Sequence, residues 1–144
     1  MKAILISLFF VPLVSFSNAI EIEFNNIVPG KGALQVGVFK KGSGFPKAKA
    51  RAAFKKTINL KNVRSKSLIV IFEGVDLEEF AVGSFQDFNR NKKIDKNFLG
   101  IPKEPFGFSN NPRLITGPPS YSKCRVKFSG REKVRLKINL KKLL

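Results

Sequence analysis

The chain has 144 residues and a strong excess of positive charge, with 27 Lys and Arg against 10 Asp and Glu and a formal net charge of +17. It contains no histidine and a single cysteine. This composition excludes a Ser-His-Asp or Cys-His catalytic arrangement, a histidine-based zinc site and an intramolecular disulfide. No other catalytic motif is present, so we expect neither an enzyme nor a resident organic cofactor.

The N-terminus has the pattern of a secretory signal peptide. Met1-Lys2 is a positive start, residues 3–16 are an almost uninterrupted apolar run, and the run ends at Ser17-Asn18-Ala19. A run of about 14 residues is too short to span a bilayer as a helix, and its small-residue end suits a processing enzyme. We expect cleavage near Ala19, giving a signal peptide, 1–19, and one mature domain, 20–144, that is periplasmic or extracellular and has no transmembrane segment. An uncleaved N-terminal anchor is the alternative.

Alternation of apolar and polar residues predicts strands in the first half of the mature chain. Ile20, Ile22 and Phe24 define the first strand, and residues 34–38 form the second after a turn at 29–32. Residues 57–60 predict a short third strand. The segment between them, 45–56, is interpreted as a long connection with one helical turn.

Further along the chain, two segments are predicted to be central strands. Within residues 67–72 the run 68–72 is continuously apolar, and residues 80–85 break parity in a way that indicates a bulge at Gly83. Residues 123–129 and 134–140 complete about seven strands, which predicts an all-β, antiparallel β-sandwich. Cys124 alternates with Val126 and Phe128, which predicts a buried, unreactive thiol.

Residues 97–122 differ from the rest in composition. They contain five of the eight prolines, three glycines and several aromatic residues. A long connection that keeps large apolar residues is usually packed or functional. We therefore predict one long Pro/Gly-rich loop that folds back over one end of the sandwich.

The segment 87–95 has the spacing of the first part of an EF-hand-like calcium loop. Oxygen side chains occupy relative positions 1, 3, 5 and 9, and a backbone carbonyl at position 7 would add a further ligand. The candidate metal ligands for Ca²⁺ are therefore Asp87, Asn89, Asn91, Lys93 (through its carbonyl) and Asp95. Lys92 stands where such loops carry Gly, and Phe98 stands where they carry a bidentate acid. The alternative is that these Asp and Asn side chains accept backbone N–H groups in a tight connection.

The positive charge predicts attraction to anionic surfaces such as lipid headgroups. One cationic sheet face would form if two predicted strands pair, the one with Lys133, Arg135 and Lys137 and the one with Lys123, Arg125 and Lys127. The alternative is a solvated face that keeps the protein soluble. Nucleic acid is not an expected partner of an exported protein. Another protein is the alternative partner, and the mature chain is expected to be monomeric.

Three segments occur in an order that resembles a known family. They are Asp87–Asp95, Gly100–Asn111 and Gly117–Ser120, and the strand before them, Glu79–Val82, is similar to the family's Gly-Tyr-Ala segment but has neither the Gly nor the Tyr. The mature chain resembles the uncharacterised bacterial exported family called domain of unknown function 2141 (DUF2141). The resemblance implies a periplasmic or secreted β-sandwich, similar to transthyretin-like and immunoglobulin-like modules, with no established activity.

The leading hypothesis is a non-enzymatic exported binding or structural module, whose functional surface is the pair of loops within 87–120 at one end of the sandwich. A weak calcium-binding module using residues 87–95 is one alternative. A cationic protein that associates with anionic envelope surfaces is the other.

Overall fold

A computed structural model describes residues 18–47, 49–129 and 132–144. The predicted signal peptide therefore lies outside the described residues, except for Asn18 and Ala19. β1 begins at Ala19, which is buried and pairs with Glu73.

The described residues form eight strands and one helical turn. These are β1 (Ala19–Asn25), β2 (Ala33–Phe39), β3 (Phe54–Asn59), β4 (Leu68–Glu73), β5 (Glu79–Asp87), β6 (Phe106–Phe108), α1 (Tyr121–Cys124), β7 (Val126–Lys127) and β8 (Val134–Asn139). One sheet has the order β4-β1-β8, and the other has the order β3-β2-β5-β6 with β7 also paired to β5. The predicted all-β, sandwich-like architecture is confirmed, with eight strands in place of about seven. Within the described ranges no helix has the length and apolarity needed to cross a bilayer.

The core lies between the two sheets and is built from the alternating apolar residues of the longer strands. Ile20, Ile22 and Phe24 of β1 are completely buried, and so are Leu34 and Val38 of β2. The polar residues between them face outward, as the period of two requires. The strands predicted from strict alternation therefore form where expected.

The three-stranded sheet departs from the antiparallel prediction. β1 is antiparallel to β4 but parallel to β8, with Ile20 opposite Val134 and Phe24 opposite Ile138. Parallel neighbours need a crossover connection. Here β1 and β8 are the first and last strands of the described residues, so no hairpin joins them and constrains their direction.

Two predictions about central strands have different outcomes. β5 is central, but its register with β2 runs unbroken through Gly37 opposite Gly83, so the predicted bulge at Gly83 is wrong. A Cβ at Gly83 would lie 3.3 Å from the Phe45 ring, so this glycine makes room for an aromatic residue on the outer sheet face. β4 is an edge strand, with Ile69 and Ile71 facing outward. Its continuous apolar run therefore does not mean burial on both faces.

The connections also differ from prediction in part. Residues 45–47 and 49–53 form turns and irregular backbone with no helical turn, and residues 54–56 belong to β3. The predicted strand 123–129 is split into the end of α1 and the short β7, although Cys124 is buried as expected. The segment 97–122 contains β6, so it is not one uninterrupted loop.

Candidate functional site

Asp87, the last residue of β5, is completely buried, and its carboxylate accepts backbone N–H groups of the residues that follow the strand. Its Oδ1 accepts the N–H of Asn91 at 3.1 Å, and its Oδ2 accepts the N–H of Lys92 at 2.8 Å. The Gln35 amide also donates to Oδ2, at 3.2 Å. A buried carboxylate is costly unless N–H groups surround it, so these donors fix the backbone of residues 88–92 against the end of the strand.

Glu104 is a second buried carboxylate, 3% exposed, in the same region. Its Oε1 accepts the N–H of Phe88 at 2.7 Å, and its Oε2 accepts the N–H of Asp95 at 3.0 Å. The backbone closes beside it, where the Gln86 N–H donates to the Pro105 carbonyl at 2.8 Å. Residues 88–103, which we call the loop arm, are therefore held at their base by two buried acids.

The polar side chains within the loop arm bond to one another. Asn89 and Asn91 donate from their amides to the two oxygens of Asp95, at 2.6 and 2.9 Å. Their own oxygens accept the N–H groups of Asn91 and Lys93, at 3.2 and 2.9 Å. The structure thus brings together Asn89, Asn91 and Asp95 beside the buried Asp87. It also agrees with the interpretation in which Asp and Asn oxygens accept backbone N–H groups.

The carboxylate oxygens among the candidate calcium ligands are engaged in hydrogen bonds. Both Asp95 oxygens face amide N–H groups, and both Asp87 oxygens face N–H donors. Among residues 18–47, 49–129 and 132–144, no group of three or more acidic, cysteine or histidine side chains is placed to hold a metal ion. Lys92 adopts the left-handed backbone (φ 63°) that Gly would take more easily at this position.

The far end of the loop arm is a closed turn. Lys96 and Pro102 form an isolated β-bridge, and the Asn97 N–H donates to the Ile101 carbonyl at 2.9 Å. The Asn97 side chain accepts the N–H groups of Leu99 and Ile101 at 2.9 and 3.0 Å. Phe98 and Leu99, which we call the tip, are 95% and 67% exposed. Large apolar side chains are therefore held in solvent by an ordered backbone.

Sequence reasoning missed the roles of Glu104 and of the tip. Phe98 and Leu99 were expected to pack against the sandwich, whereas they project from it. Glu104 is the only acidic residue between positions 96 and 131. A lone acid inside a Pro-rich, strongly basic segment is a signal that could have identified it.

The predicted cationic sheet face does not form. Arg135 and Lys137 lie on β8 beside β1, and Lys133 directly precedes β8, whereas Lys127 lies on β7, which pairs with β5 in the other sheet. These three cations also face two acidic residues of β1, which offset part of their charge. Lys133 and Arg135 pair with Glu21, and Lys137 Nζ lies 3.9 Å from Glu23 Oε2. The hydrogen bond from Lys133 lowers the pKa of Glu21.

The segment Ser109–Asn111 has a structural role. The Ser109 hydroxyl accepts the N–H of Val82 at 2.9 Å and donates to the Cys124 carbonyl. Asn110 donates to the carbonyls of Lys123 and Arg125, at 3.1 and 3.0 Å. Asn111 accepts the Asn139 N–H at 2.8 Å and donates to the Lys137 carbonyl at 2.9 Å. These side chains connect β6 to both sheets.

The two loops within 87–120 leave toward opposite ends of β5. β6 runs antiparallel to β5, with Phe106 opposite Phe85 and Phe108 opposite Gly83, and the Ser109 N–H then donates to the Val82 carbonyl. The loop arm therefore lies at the Asp87 end, and residues 109–120 leave from the other end. The predicted single surface made of both loops is wrong, and the loop arm is the candidate site.

Comparison with known proteins places the chain in a family. Residues 22–135 match the sequence profile described as "Uncharacterized protein conserved in bacteria (DUF2141)". This range includes the whole loop arm and β1 through β7 except for the first residues of β1. Searches of the curated proteins and of the solved structures found no match. The match covers most of the chain, and the chain belongs to the DUF2141 family of uncharacterised proteins conserved in bacteria.

Proposed function

We propose that this protein is an exported, non-enzymatic binding module whose binding surface is the loop arm. Export is supported by the N-terminal pattern of a charged start, an apolar run and a small-residue end. The absence of histidine and of a catalytic motif supports a binding role over an enzymatic one. The proposal includes a monomeric mature domain, periplasmic or extracellular, of immunoglobulin-like or transthyretin-like type, which two facing sheets support.

The observation that carries the proposal is the contrast between the base and the tip of the loop arm. The base contains two buried carboxylates, Asp87 and Glu104, which hold the backbone through N–H groups. The tip exposes Phe98 almost completely. Ordering a loop costs conformational entropy. Here the ordered loop holds an apolar side chain in solvent. This arrangement is typical of a preformed binding element, since preorganisation lowers the cost of association.

Retention on the cell envelope tests this function. We would express the full-length gene in a bacterial host and compare wild type with the double variant Phe98→Ser/Leu99→Ser. The wild-type protein is expected in the exported fraction, with the leader removed, and bound to washed envelopes. The variant is expected in the soluble extract, because its binding surface is lost.

The matched control is Ile115→Ser, which removes another exposed side chain, 81% accessible, from the segment at the other end of β5. All three proteins should have the same thermal midpoint, since exposed substitutions rarely change stability by more than about 0.5 kcal/mol. Equal partition of wild type and the double variant would contradict the loop arm as the binding surface. Retention of the protein in the cytoplasm with its leader intact would contradict export.

A weak calcium-binding module using residues 87–95 is the second candidate. The direct contacts among Asn89, Asn91 and Asp95 favour it, because oxygen-bearing side chains gather there. A ligand that binds only the native state must raise its stability. Under the leading proposal these oxygens stay hydrogen-bonded within the loop arm, so millimolar CaCl₂ leaves the melting temperature unchanged. A rise in wild type that is absent in Asp95→Asn would establish the calcium site instead.

A further inference from the structure

The tip of the loop arm is small, apolar and fixed. Phe98 and Leu99 are adjacent residues in a turn closed by the bonds of Asn97 to Leu99 and Ile101. Both side chains are mainly in solvent. Because the turn is already ordered, burying these two side chains in a partner would not require the backbone to become ordered first.

The tip is flanked by positive charge. Lys96 and Lys103 stand at the foot of the turn, next to the bridge between Lys96 and Pro102. Lys92 and Lys93 precede them in the loop arm and are also exposed. None of these four lysines forms an ion pair with another described residue, whereas Lys133 pairs with Glu21 and Lys137 with Glu23. The charge of the loop arm is therefore available to an anionic partner.

We propose that the loop arm docks on an anionic lipid bilayer, with Phe98 and Leu99 inserted at the boundary of the acyl chains and the flanking lysines at the headgroup phosphates. An apolar tip with basic residues beside it matches the layered chemistry of that interface. The inference rests on the proposed function, because it names the partner of the same loop arm.

Two other partners suit the loop arm less well than a lipid bilayer does. A second copy of the mature chain would bring together two molecules that each carry a formal charge of +16, which is 17 minus the one for Lys2, so electrostatic repulsion opposes self-association. A folded protein partner normally covers about 800 Å² on each side of a stable interface. Two adjacent side chains on a narrow turn offer far less apolar area than that. A bilayer accepts a small insertion because the field of the whole cationic protein adds to it.

Tryptophan fluorescence tests insertion directly, because the chain contains no tryptophan. The variant Phe98→Trp, purified from cells that express the full-length gene, places one fluorophore at the tip. We expect a blue shift of its emission with vesicles of phosphatidylcholine and phosphatidylglycerol in equal parts, and quenching by brominated acyl chains. Pure phosphatidylcholine vesicles should give no shift. The matched variant Ile115→Trp should give no shift with either vesicle.

Co-sedimentation with the same vesicles measures the contribution of each part. Phe98→Ser/Leu99→Ser should weaken binding at least about tenfold. A tenfold change in affinity corresponds to about 1.4 kcal/mol, and burying one large apolar side chain contributes about that much. Lys93→Gln/Lys96→Gln should weaken binding by about fivefold per lysine. The control Lys123→Gln/Lys127→Gln removes the same charge from α1 and β7, and it should have a clearly smaller effect. Binding should also fall as salt is raised.

The outcomes separate this inference from the proposed function. If the tip variant binds anionic vesicles as well as wild type does, or if both lysine pairs have equal effects, docking through the loop arm is overturned. If wild type does not bind vesicles while envelope retention still depends on Phe98 and Leu99, the lipid partner is wrong, and the protein remains a binding module with a protein partner. If envelope retention is also independent of the tip, both proposals fail.

Discussion

Glu104 accepts backbone N–H groups from two separate parts of the loop arm, at Phe88 and at Asp95. A carboxylate has two acceptor oxygens and no donor, whereas glutamine presents one NH₂ group in place of an oxygen. In Glu104→Gln this NH₂ would face a backbone N–H. The geometry of the loop arm therefore depends on the carboxylate and not only on the size of the side chain.

We expect Glu104→Gln to lower the free energy of unfolding by about 1–3 kcal/mol, the usual cost of leaving a buried polar group without its partner. Urea denaturation monitored by circular dichroism measures this change. The control is Lys103→Gln, an exposed neighbour that should change stability by less than about 0.5 kcal/mol. Equal stabilities of the two variants would show that Glu104 does not hold the loop arm.

Cys124 gives a pH-dependent prediction, because burial raises the pKa of its thiol to about 11. In the unfolded chain a thiol ionises near pH 8.5. The raised pKa means that the neutral thiol favours the folded state. Its contribution to stability is complete below about pH 8.5 and is lost as the pH rises toward 11.

The stability difference between wild type and Cys124→Ala should therefore shrink between about pH 8.5 and pH 11, in urea melts recorded at each pH. Using the difference removes the effect of other groups that titrate there. The native thiol should also react with a disulfide reagent at pH 8 far more slowly than the denatured thiol. Rapid reaction in the native protein would mean that Cys124 is accessible.

At the scale of the elements, Gly107 sets how closely β6 approaches β8. A Cβ on Gly107 would lie 2.7 Å from Ile138 Cγ2 and 3.2 Å from Leu140 Cδ2. Ile138 and Leu140 are core residues of the three-stranded sheet and its end, and both are buried. The two sheets therefore meet at a position without a side chain.

Gly107→Ala should destabilise the protein by about 1–3 kcal/mol, the usual cost of overpacking a core. Thermal and urea unfolding measure the loss. The comparison variant is Gly83→Ala, where the added Cβ would meet a movable Phe45 ring edge at 3.3 Å, so its cost should be smaller. A larger loss for Gly83→Ala than for Gly107→Ala would contradict the packing described here.

The elements that sequence predicted well are those whose pattern is local. β1 and β2 follow strict alternation, and their buried residues are the ones that the period of two selects. The prediction that β4 is a central strand is wrong, because a run of apolar residues does not reveal whether a strand has one neighbour or two. The parallel pairing of β1 with β8 was not predicted for a related reason, because the pairing of strands far apart in sequence depends on long-range contacts.

The same distinction applies to the candidate site. The role of Asp87, Asn89 and Asn91 as acceptors of nearby N–H groups was among the interpretations, because the bonds span a few residues. The role of Glu104 was not, because its partner Phe88 lies 16 positions away. Exposure of Phe98 was also missed, since aromatic residues are usually buried and only the closed turn keeps this one in solvent.

At the scale of the whole molecule, the positive charge is widespread and includes the loop arm. The formal charge is +17. Lys133, Arg135 and Lys137 lie in ion pairs with Glu21 and Glu23, whereas the lysines of the loop arm form no ion pair with any residue that the structure describes. The loop arm therefore carries unpaired lysines and the exposed Phe98 on one element. The proposed docking would orient the molecule with its loop arm toward an anionic surface.

Binding through the loop arm requires an ordered, fixed backbone in this segment. Hydrogen exchange measured amide by amide tests this order most directly. The N–H groups of Phe88, Asn91, Lys92 and Asp95 donate to the buried carboxylates of Asp87 and Glu104. We predict that these four amides exchange slowly, at rates close to those of the β5 core amides, in NMR spectra of the native protein. Exchange at the rate of an unstructured peptide at these four positions would contradict the account.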